Sequence, residues 1–453
     1  MNKENTQLGT EPIGKLLVKL ATPAIAAQLI NALYNVVDRM YIGRLEEVGT
    51  LALTGVGLTF PIIMIISAFS SLIGMGGAPR ASIKMGEGNK NGAEKIMGNC
   101  FSALVIVSVL LTVVFTIFKR PLLMAFGASE NTITYALQYI EIYIFGTIFV
   151  QITMGMNSFI TAQGFATMSM LTTGIGAGLN IVLDPIFIFV FNMGVRGAAI
   201  ATVISQAASA IWVMKFLMGN KTTLKMKKEN LKIDWKILSP AIALGLAPFV
   251  MTSTESLVNI ALNSNLQRLG GDAYVGAMTI IGSVMQIAMM PLHGMSQGAQ
   301  PILSYNFGAK NPKRVRKTFR LLATISVSYS TFIWAAILIF PQVFIMIFTE
   351  DAAIIEVTKW TLKIFACGVF AMGAQIACQQ TMVSMGQSKV TLFLALLRKV
   401  ILLIPLVFIL PALFGLGVKG VFLAEPISDI IATTVTIICF VLNFPKLMRQ
   451  ISD

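Results

Sequence analysis

The chain has 453 residues, of which 56% are hydrophobic and 12% charged, and its four cysteines and single histidine are scattered. A soluble domain carries roughly 25% charged residues, so with a mean hydropathy of +0.79 this chain cannot cover a water-soluble globule and must use lipid as part of its solvent. The formal net charge of +14 reads as basic loops gathered on one side of a membrane rather than as a nucleic-acid footprint, and the lone His293 excludes a multi-histidine metal site.

Residues 1–10 are short and polar, with no cleavable leader expected, because the first apolar run is too long for a signal segment. Spanning a bilayer takes about 20 apolar residues. Twelve such runs are predicted, at 14–41, 52–78, 96–118, 133–157, 166–192, 196–218, 238–266, 274–302, 318–341, 355–380, 389–413 and 418–443. Pro23, Pro61, Pro185, Pro248, Pro291, Pro405 and Pro426 lie inside them. Each frees a carbonyl and marks a bend that neighbouring helices must satisfy. Cys100, Cys367, Cys378 and Cys439 sit in apolar stretches without metal spacing and read as packing residues.

With both termini in the cytoplasm and each Lys or Arg assigned to its nearest loop, 25 of the 34 basic residues fall on the cytoplasmic side and 9 on the other. Three of the 25 (Lys389, Arg398 and Lys399) are assigned to the turn between the tenth and eleventh runs. That bias sets the orientation in a cell inner or plasma membrane.

An internal repeat organises the chain. At an offset of 222 residues Gly76 meets Gly298, Pro79 meets Pro301, Ser82 meets Ser304, Gly86 meets Gly308, Asn89 meets Asn311, Gly146 meets Gly368 and Gly164 meets Gly386. At 223, Gly194-Val195-Arg196-Gly197 meets Gly417-Val418-Lys419-Gly420 and Ile204-Ser205 meets Ile427-Ser428. The halves each have six runs and enter the membrane the same way round. The expected fold is therefore an all-α membrane protein of twelve helices in two parallel six-helix bundles with pseudo-two-fold symmetry, an architecture of transporters. The expected division is residues 1–218, a basic solvated linker at 219–237, and 238–453.

Charges inside a membrane are costly and mark functional candidates. Six acids fall within the runs: Asp38, Glu141, Asp184, Glu255, Glu425 and Asp429. In the first run Asn31, Tyr34, Asn35 and Asp38 share one helical face. The fifth holds Asn180 and Asp184 one turn apart beside Pro185, the fourth ends with Asn157, and the sixth brings Thr202 and Ser205. Such a set has two chemical uses. Paired buried carboxyls take and release a proton near neutral pH, and the same oxygens suit a hard cation such as Na⁺. A purely structural alternative pairs Asp38 with Arg39 or Arg44.

The seventh run carries a second stripe, Thr252, Glu255, Asn259 and Asn263. Glu255 is open to a coupling role, to service as counter-charge for a cationic substrate, or to structural pairing. Glu425 and Asp429, four residues apart, suit a structural or gating role as well as a transport one. Met285 and Met289, with Met290, Gln286 and His293, are candidates to line a cavity for varied apolar shapes, although single methionines are usually packing or lipid-facing residues.

These features resemble the MATE family of multidrug and toxic-compound extruders, and within it the MepA-type branch, over essentially the whole chain. The strings that carry the resemblance are Tyr34-Asn35-Val36-Val37-Asp38-Arg39-Met40-Tyr41-Ile42-Gly43, Gly178-Leu179-Asn180-Ile181-Val182-Leu183-Asp184-Pro185-Ile186-Phe187-Ile188-Phe189 and Gly194-Val195-Arg196-Gly197-Ala198-Ala199. The resemblance implies export of varied, often cationic small molecules by antiport with H⁺ or Na⁺, with no cofactor beyond that ion. It implies a cation-coupling site at Asp38, Asn180, Asp184 and Thr202, with Asn157 as neighbour, where Na⁺ is one occupant. Glu255 matches a further family acid, whereas the tenth-run acid of some members has no counterpart near Ala374-Gln375, which moves the expected site to the N-terminal half. Substrate contacts are expected at Asn31, Tyr34, Glu255, Asn259, Met285 and Met289, in a monomer embedded in the lipid bilayer and independent of nucleic acid. The alternative is a lipid-linked precursor flippase of the same superfold, disfavoured because the mid-span charges read as acidic. A membrane-embedded enzyme lacks a nucleophile–base pair, a metal cluster and a phosphate loop, and the two-fold repeat with sparse polar stripes disfavours a channel.

Overall fold

The computed structural model describes residues 3–45 and 48–452; Met1 and Asn2 of the polar N-terminal segment lie outside them. Among the described residues the chain is helical throughout, without a strand. Its spans are α1 (Ile13–Gly43), α2 (Phe60–Gly86), α3 (Lys90–Ala125), α4 (Ile133–Phe145 and Thr147–Ala162), α5 (Ala166–Pro185), α6 (Gly194–Met218), α7 (Trp235–Gly270), α8 (Asp272–Gly308) and α9 (Pro312–Ile339). The last three are α10 (Ala352–Ser384), α11 (Ser388–Ala412) and α12 (Val418–Gln450). Eleven of these are long and apolar enough to cross a membrane, and α4, bent by 58° at Gly146, makes a twelfth when its two pieces count as one. Several helices outrun their apolar runs. α2 passes through Pro79 and Arg80 to Gly86, and α12 reaches Gln450, so polar turns extend beyond the hydrocarbon.

The repeat is visible in hydrogen bonds as well as in sequence. The Ser82 hydroxyl donates to the Ala162 carbonyl at 2.7 Å, and its counterpart Ser304 donates to the Ser384 carbonyl at 2.8 Å. Asn89 caps α3 by accepting from the Gly92 N–H, and Asn311 caps α9 by accepting from the Arg314 N–H. Gly164 and Gly386 both close a helix with positive φ, +89° and +75°, a conformation that glycine adopts without a Cβ penalty. The α4 bend at Gly146 corresponds to the tight turn Ala366–Gly368 within α10.

The termini and the α2–α3, α6–α7, α8–α9 and α10–α11 connections lie at one end of the molecule. There the halves are closed on each other. Leu16, Leu17, Leu20 and Ala21 of α1 share a core with Leu292, Met295, Ala299 and Ile302 of α8 and with residues of α9, α10 and α12. Leu238 and Ala241 of α7 join a core built by α2, α3, α4 and α6. Glycines permit the approach. A Cβ at Gly76 would strike the Ala241 carbonyl, one at Gly245 the Leu72 carbonyl, and one at Gly294 or Gly298 the α1 backbone at Ile25 or Ala21. At the opposite end the cores are separate. One is made by Ile42, Ile62, Ile133, Ile140 and Ile188 of the first half, the other by Val258, Leu262, Ile281, Leu362 and Phe422 of the second. The molecule is thus a wedge, joined at the terminal end and parted at the other.

The basic linker differs from the solvated loop expected. Gln163 Oε1 accepts from the Thr222 hydroxyl and from the Thr223 and Leu224 N–H groups, at 2.8–2.9 Å. Glu94 pairs with Lys227 at 2.7 Å and accepts from the Lys225 N–H. Asn99 accepts from the Asp234 N–H, and the Ser102 hydroxyl donates to the Leu231 carbonyl. Polar groups on α3 and at the C-terminal end of α4 thus strap the segment to the first half. Composition alone reports its lysines but not the polar groups beneath it.

Candidate functional site

The first-half site forms where α1, α5 and α6 meet toward the parted end, Asp38 lying five residues before the end of α1 and Asp184 next to the last residue of α5. Asp38 is 8% exposed although every other residue from Ile25 to Tyr41 is half-buried or exposed, and Asn180, Asp184 and Thr202 are buried outright. The reason is the periodicity of α1. Leu29, Leu33, Val36 and Met40 are exposed on the face opposite Asn31, Tyr34, Asn35 and Asp38, so the apolar face is placed to meet lipid, while on the polar face Asp38 is buried, Tyr34 half-buried and Asn31 and Asn35 exposed. The Asp38 and Asp184 carboxyls lie within hydrogen-bonding range of each other. Asn180 Nδ2 donates to Asp184 Oδ1 at 3.2 Å and to the Thr202 hydroxyl at 3.3 Å, and Thr202 donates to the Ala198 carbonyl at 3.0 Å. Three buried acceptors, Asp38 Oδ1, Asn180 Oδ1 and Asp184 Oδ2, take no hydrogen bond from the protein.

Neither carboxyl makes an ion pair among the described residues. Arg39 instead lies over the Phe60 ring, 5.8 Å from its centroid, so the structural alternative of an Asp38–Arg39 bridge is not realised. Oxygen acceptors without donors in a low-dielectric wall are costly and suit a proton or a bare monovalent cation. Pro185 and the π-turn Ile186–Val190 end α5 immediately after Asp184. Such π-turns inside helices often coincide with functional sites.

One expectation is corrected here. Asn157 stands apart from the carboxyls: its Nδ2 donates to the Ser169 carbonyl, beside the Thr161–Ser169 hydroxyl pair. Ser169 is fifteen residues before Asp184 on α5, about 22 Å of helical rise. The fourth and fifth runs do pack, but their crossing brings Asn157 to the opposite end of α5. The tyrosines of α4 went unnoticed in the sequence. Tyr139 and Tyr143 are buried, stacked with centroids 6.0 Å apart, on the first piece of α4, which packs against α6. Their four-residue spacing within an apolar run was the available signal. Ser205, beside Thr202 in the sequence, is buried on the same helix, and its hydroxyl is unpartnered.

The second half holds a different arrangement. Arg398 and Lys399, assigned above to a loop, lie in the middle of α11, in the π-turn Leu397–Leu403. Arg398 Nε donates to Asp429 Oδ1 at 2.7 Å, and its Nη2 lies 3.5 Å from Glu425 Oε1. Lys399 Nζ pairs with Glu255 Oε2 at 3.1 Å, the lysine side chain being 8% exposed and the glutamate 50%. His293 of α8 senses both Arg398 and Glu255. The mid-span charges are therefore not all acidic: two cations meet three carboxylates. Nearest-loop assignment failed because the 25-residue span carries both cations at its centre, where only carboxylates on α7 and α12 make them affordable. Glu141, the remaining mid-span acid, pairs with Lys119 at 2.7 Å near the open end.

Of the expected substrate contacts, Asn31, Glu255 and Asn259 are exposed and Tyr34 half-buried on the parted halves of α1 and α7. Met285 and Met289 are half-buried and pack against the second-half core, Met289 also reaching the core shared by both halves. Among the described residues no group of three or more His, Cys, Asp or Glu is arranged for a metal ion. Cys100 and Cys378 are buried as expected of packing residues, whereas Cys367 is exposed.

Two repeat-related helical halves, joined at one end and carrying buried polar sites within their spans, define a secondary transporter. The chain belongs to the MatE family, whose model matches residues 23–186 and again 248–409. It is 25% identical over 406 residues to the multidrug export protein MepA of Staphylococcus aureus strain NCTC 8325, covering 89% of each chain. It is 23% identical over 423 residues to MepA of Staphylococcus haemolyticus, covering 93% of this chain and 92% of that protein. A crystal structure of MATE in the bent conformation superposes with a TM-score of 0.93 at 22% identity over all of both chains. An outward-facing multidrug resistance MATE transporter of the MOP superfamily superposes at 0.91, with 23% identity over 99% of each.

Proposed function

We propose that this chain exports structurally varied, often cationic lipophilic compounds across the bacterial plasma membrane by antiport with H⁺ or Na⁺. It acts as a monomer with both termini in the cytoplasm. The relatives named multidrug export proteins support the substrate class. The positive-inside bias supports the orientation, which makes the parted end of the wedge outward-facing. The observation that carries the coupling site is the set of three unpartnered buried acceptors on Asp38, Asn180 and Asp184.

The cation neutralises this set from the outside, and its arrival favours release of drug from the parted cleft. In the inward-open state, drug entry favours loss of the cation. Coupling requires that each ligand bind the two states with different affinity. Asn31, Tyr34 and Asn259 are the polar contacts offered to a drug, while Glu255 is engaged by Lys399 and serves as counter-charge only when that pair opens. The flippase reading gains no support from Arg398 and Lys399, because both are neutralised by carboxylates and neither is free to hold a diphosphate.

The test is ethidium efflux from proteoliposomes under an imposed pH or sodium gradient, comparing wild type with Asp184→Asn. Efflux that follows one gradient and fails in the variant names the ion. Unchanged efflux in Asp184→Asn would sink the assignment.

A further inference from the structure

We infer that Arg398 is a tethered cation permanently engaging Glu425 and Asp429, a buried second-half cluster that overlaps the first-half site only at the Thr202 position, so that metal-ion exchange is confined to the first half of the molecule. The inference deepens the proposed coupling reading and rests on it for the role of the first half.

The repeat supplies the comparison. At the 223-residue offset that aligns Ser205 with Ser428, Thr202 of α6 corresponds to Glu425 of α12 and Gln206 to Asp429. Both halves therefore place their buried polar groups where the fifth and sixth helices of that half meet. In the first half the acceptors lack a cationic partner. In the second, Glu425 and Asp429 share one helical face and converge on the Arg398 guanidinium. All three side chains are nearly closed off, at 12% exposure or less.

The arginine is held from behind as well, since the Ser428 hydroxyl donates to the Arg398 carbonyl at 2.8 Å. The position aligned with Arg398 at an offset of 222 residues is Gly176, which lies against the Ser209 hydroxyl of α6 and carries no side chain. The first half therefore lacks a built-in cation at this position and the second provides one. A guanidinium remains charged at every physiological pH, so it competes permanently with any metal ion for these two carboxylates. The other charged and titratable groups facing it are Glu255, Lys399 and His293. Lys399 is engaged by Glu255, so loss of Arg398 leaves three carboxylates against one lysine, and a proton or free cation must enter.

The test uses the full chain in nanodiscs. Melting is measured in sodium and in choline chloride at acid and alkaline pH, with equilibrium ²²Na⁺ binding alongside. Arg398→Gln is expected to acquire a Tm that rises with sodium or with acid beyond the wild-type response. That gain disappears when Glu425→Gln and Asp429→Asn are added, and Arg398→Lys does not show it. A folded Arg398→Gln protein with the wild-type ion response overturns the inference. Should that variant fail to insert, the neutral triple Arg398→Met, Glu425→Gln, Asp429→Asn decides. A buried ion network often gives way to neutral residues without loss of stability, so gradient-driven efflux with the wild-type ion-to-drug ratio is expected. Inserted protein that has lost the gradient dependence overturns the inference. Efflux that survives Asp184→Asn would count against the first-half reading alone, because the ion-response measurements on Arg398→Gln involve no drug.

Discussion

Asn180 is the pivot of the first-half site, because one amide donates to both Asp184 and Thr202. Hydrogen bonds to charged groups are worth about 1.5–3 kcal/mol. Asn180→Ala is accordingly expected to slow gradient-driven efflux by about tenfold or more, with the melting temperature of the reconstituted protein as the control for folding. Thr202→Ser, which keeps the hydroxyl, should stay close to wild type, while Thr202→Val should fall with Asn180→Ala. An equal loss in both Thr202 variants would show that shape rather than the hydroxyl matters. Gln163 sets a stability problem of the same kind. Its single carbonyl oxygen satisfies three donors of the linker, and each orphaned buried donor costs about 1–3 kcal/mol. Gln163→Leu should loosen residues 219–234, and limited proteolysis from the cytoplasmic face should nick that stretch faster than in wild type.

The helices owe their close crossing at the joined end to the absence of side chains at particular positions. Gly245 of α7 lies against the Leu72 carbonyl of α2, and Gly76 of α2 against the Ala241 carbonyl of α7. Neither backbone can yield without parting the helices. Gly245→Ala should destabilise this joined arrangement by about 1–3 kcal/mol, the cost of overpacking a close-packed contact. Spin labels on α2 and α7 would read a longer distance or a broadened distribution, and a distance unchanged from wild type would count against the clamp. The repeat was legible here because its pairs are small residues and caps with fixed local duties. Ser82 and Ser304, Asn89 and Asn311, and Gly164 and Gly386 each do the same job twice. Arg398 was misplaced because a cation near a run boundary and one paired in mid-span look alike until the partner helices are known.

For the whole molecule, the asymmetry of basic residues survives the removal of Arg398 and Lys399 from the loops, since the linker and the α8–α9 connection carry most of it. With the four native cysteines replaced, a cysteine at Lys232 should react with an impermeant maleimide only after the cells are opened. One at Lys359 should react in intact cells. The reverse pattern would invert the molecule and reassign the parted end to the cytoplasm.

What this sequence determined by itself is whatever is local or additive: twelve apolar runs, their alternation, the two-fold repeat, the inward face of α1, and the pairing of Asn180 with Asp184 one turn apart. Periodicity names the face of a helix, and length names its capacity to span. The tertiary structure alone decided which faces meet and at what depth. It set Asn157 apart from Asp184, buried the stacked Tyr139 and Tyr143 against α6, strapped the linker down, and gave Arg398 two acids in the second half. The reason is that a contact between helices depends on their crossing angle and register, which arise from packing many side chains at once and leave no periodic trace in either helix alone.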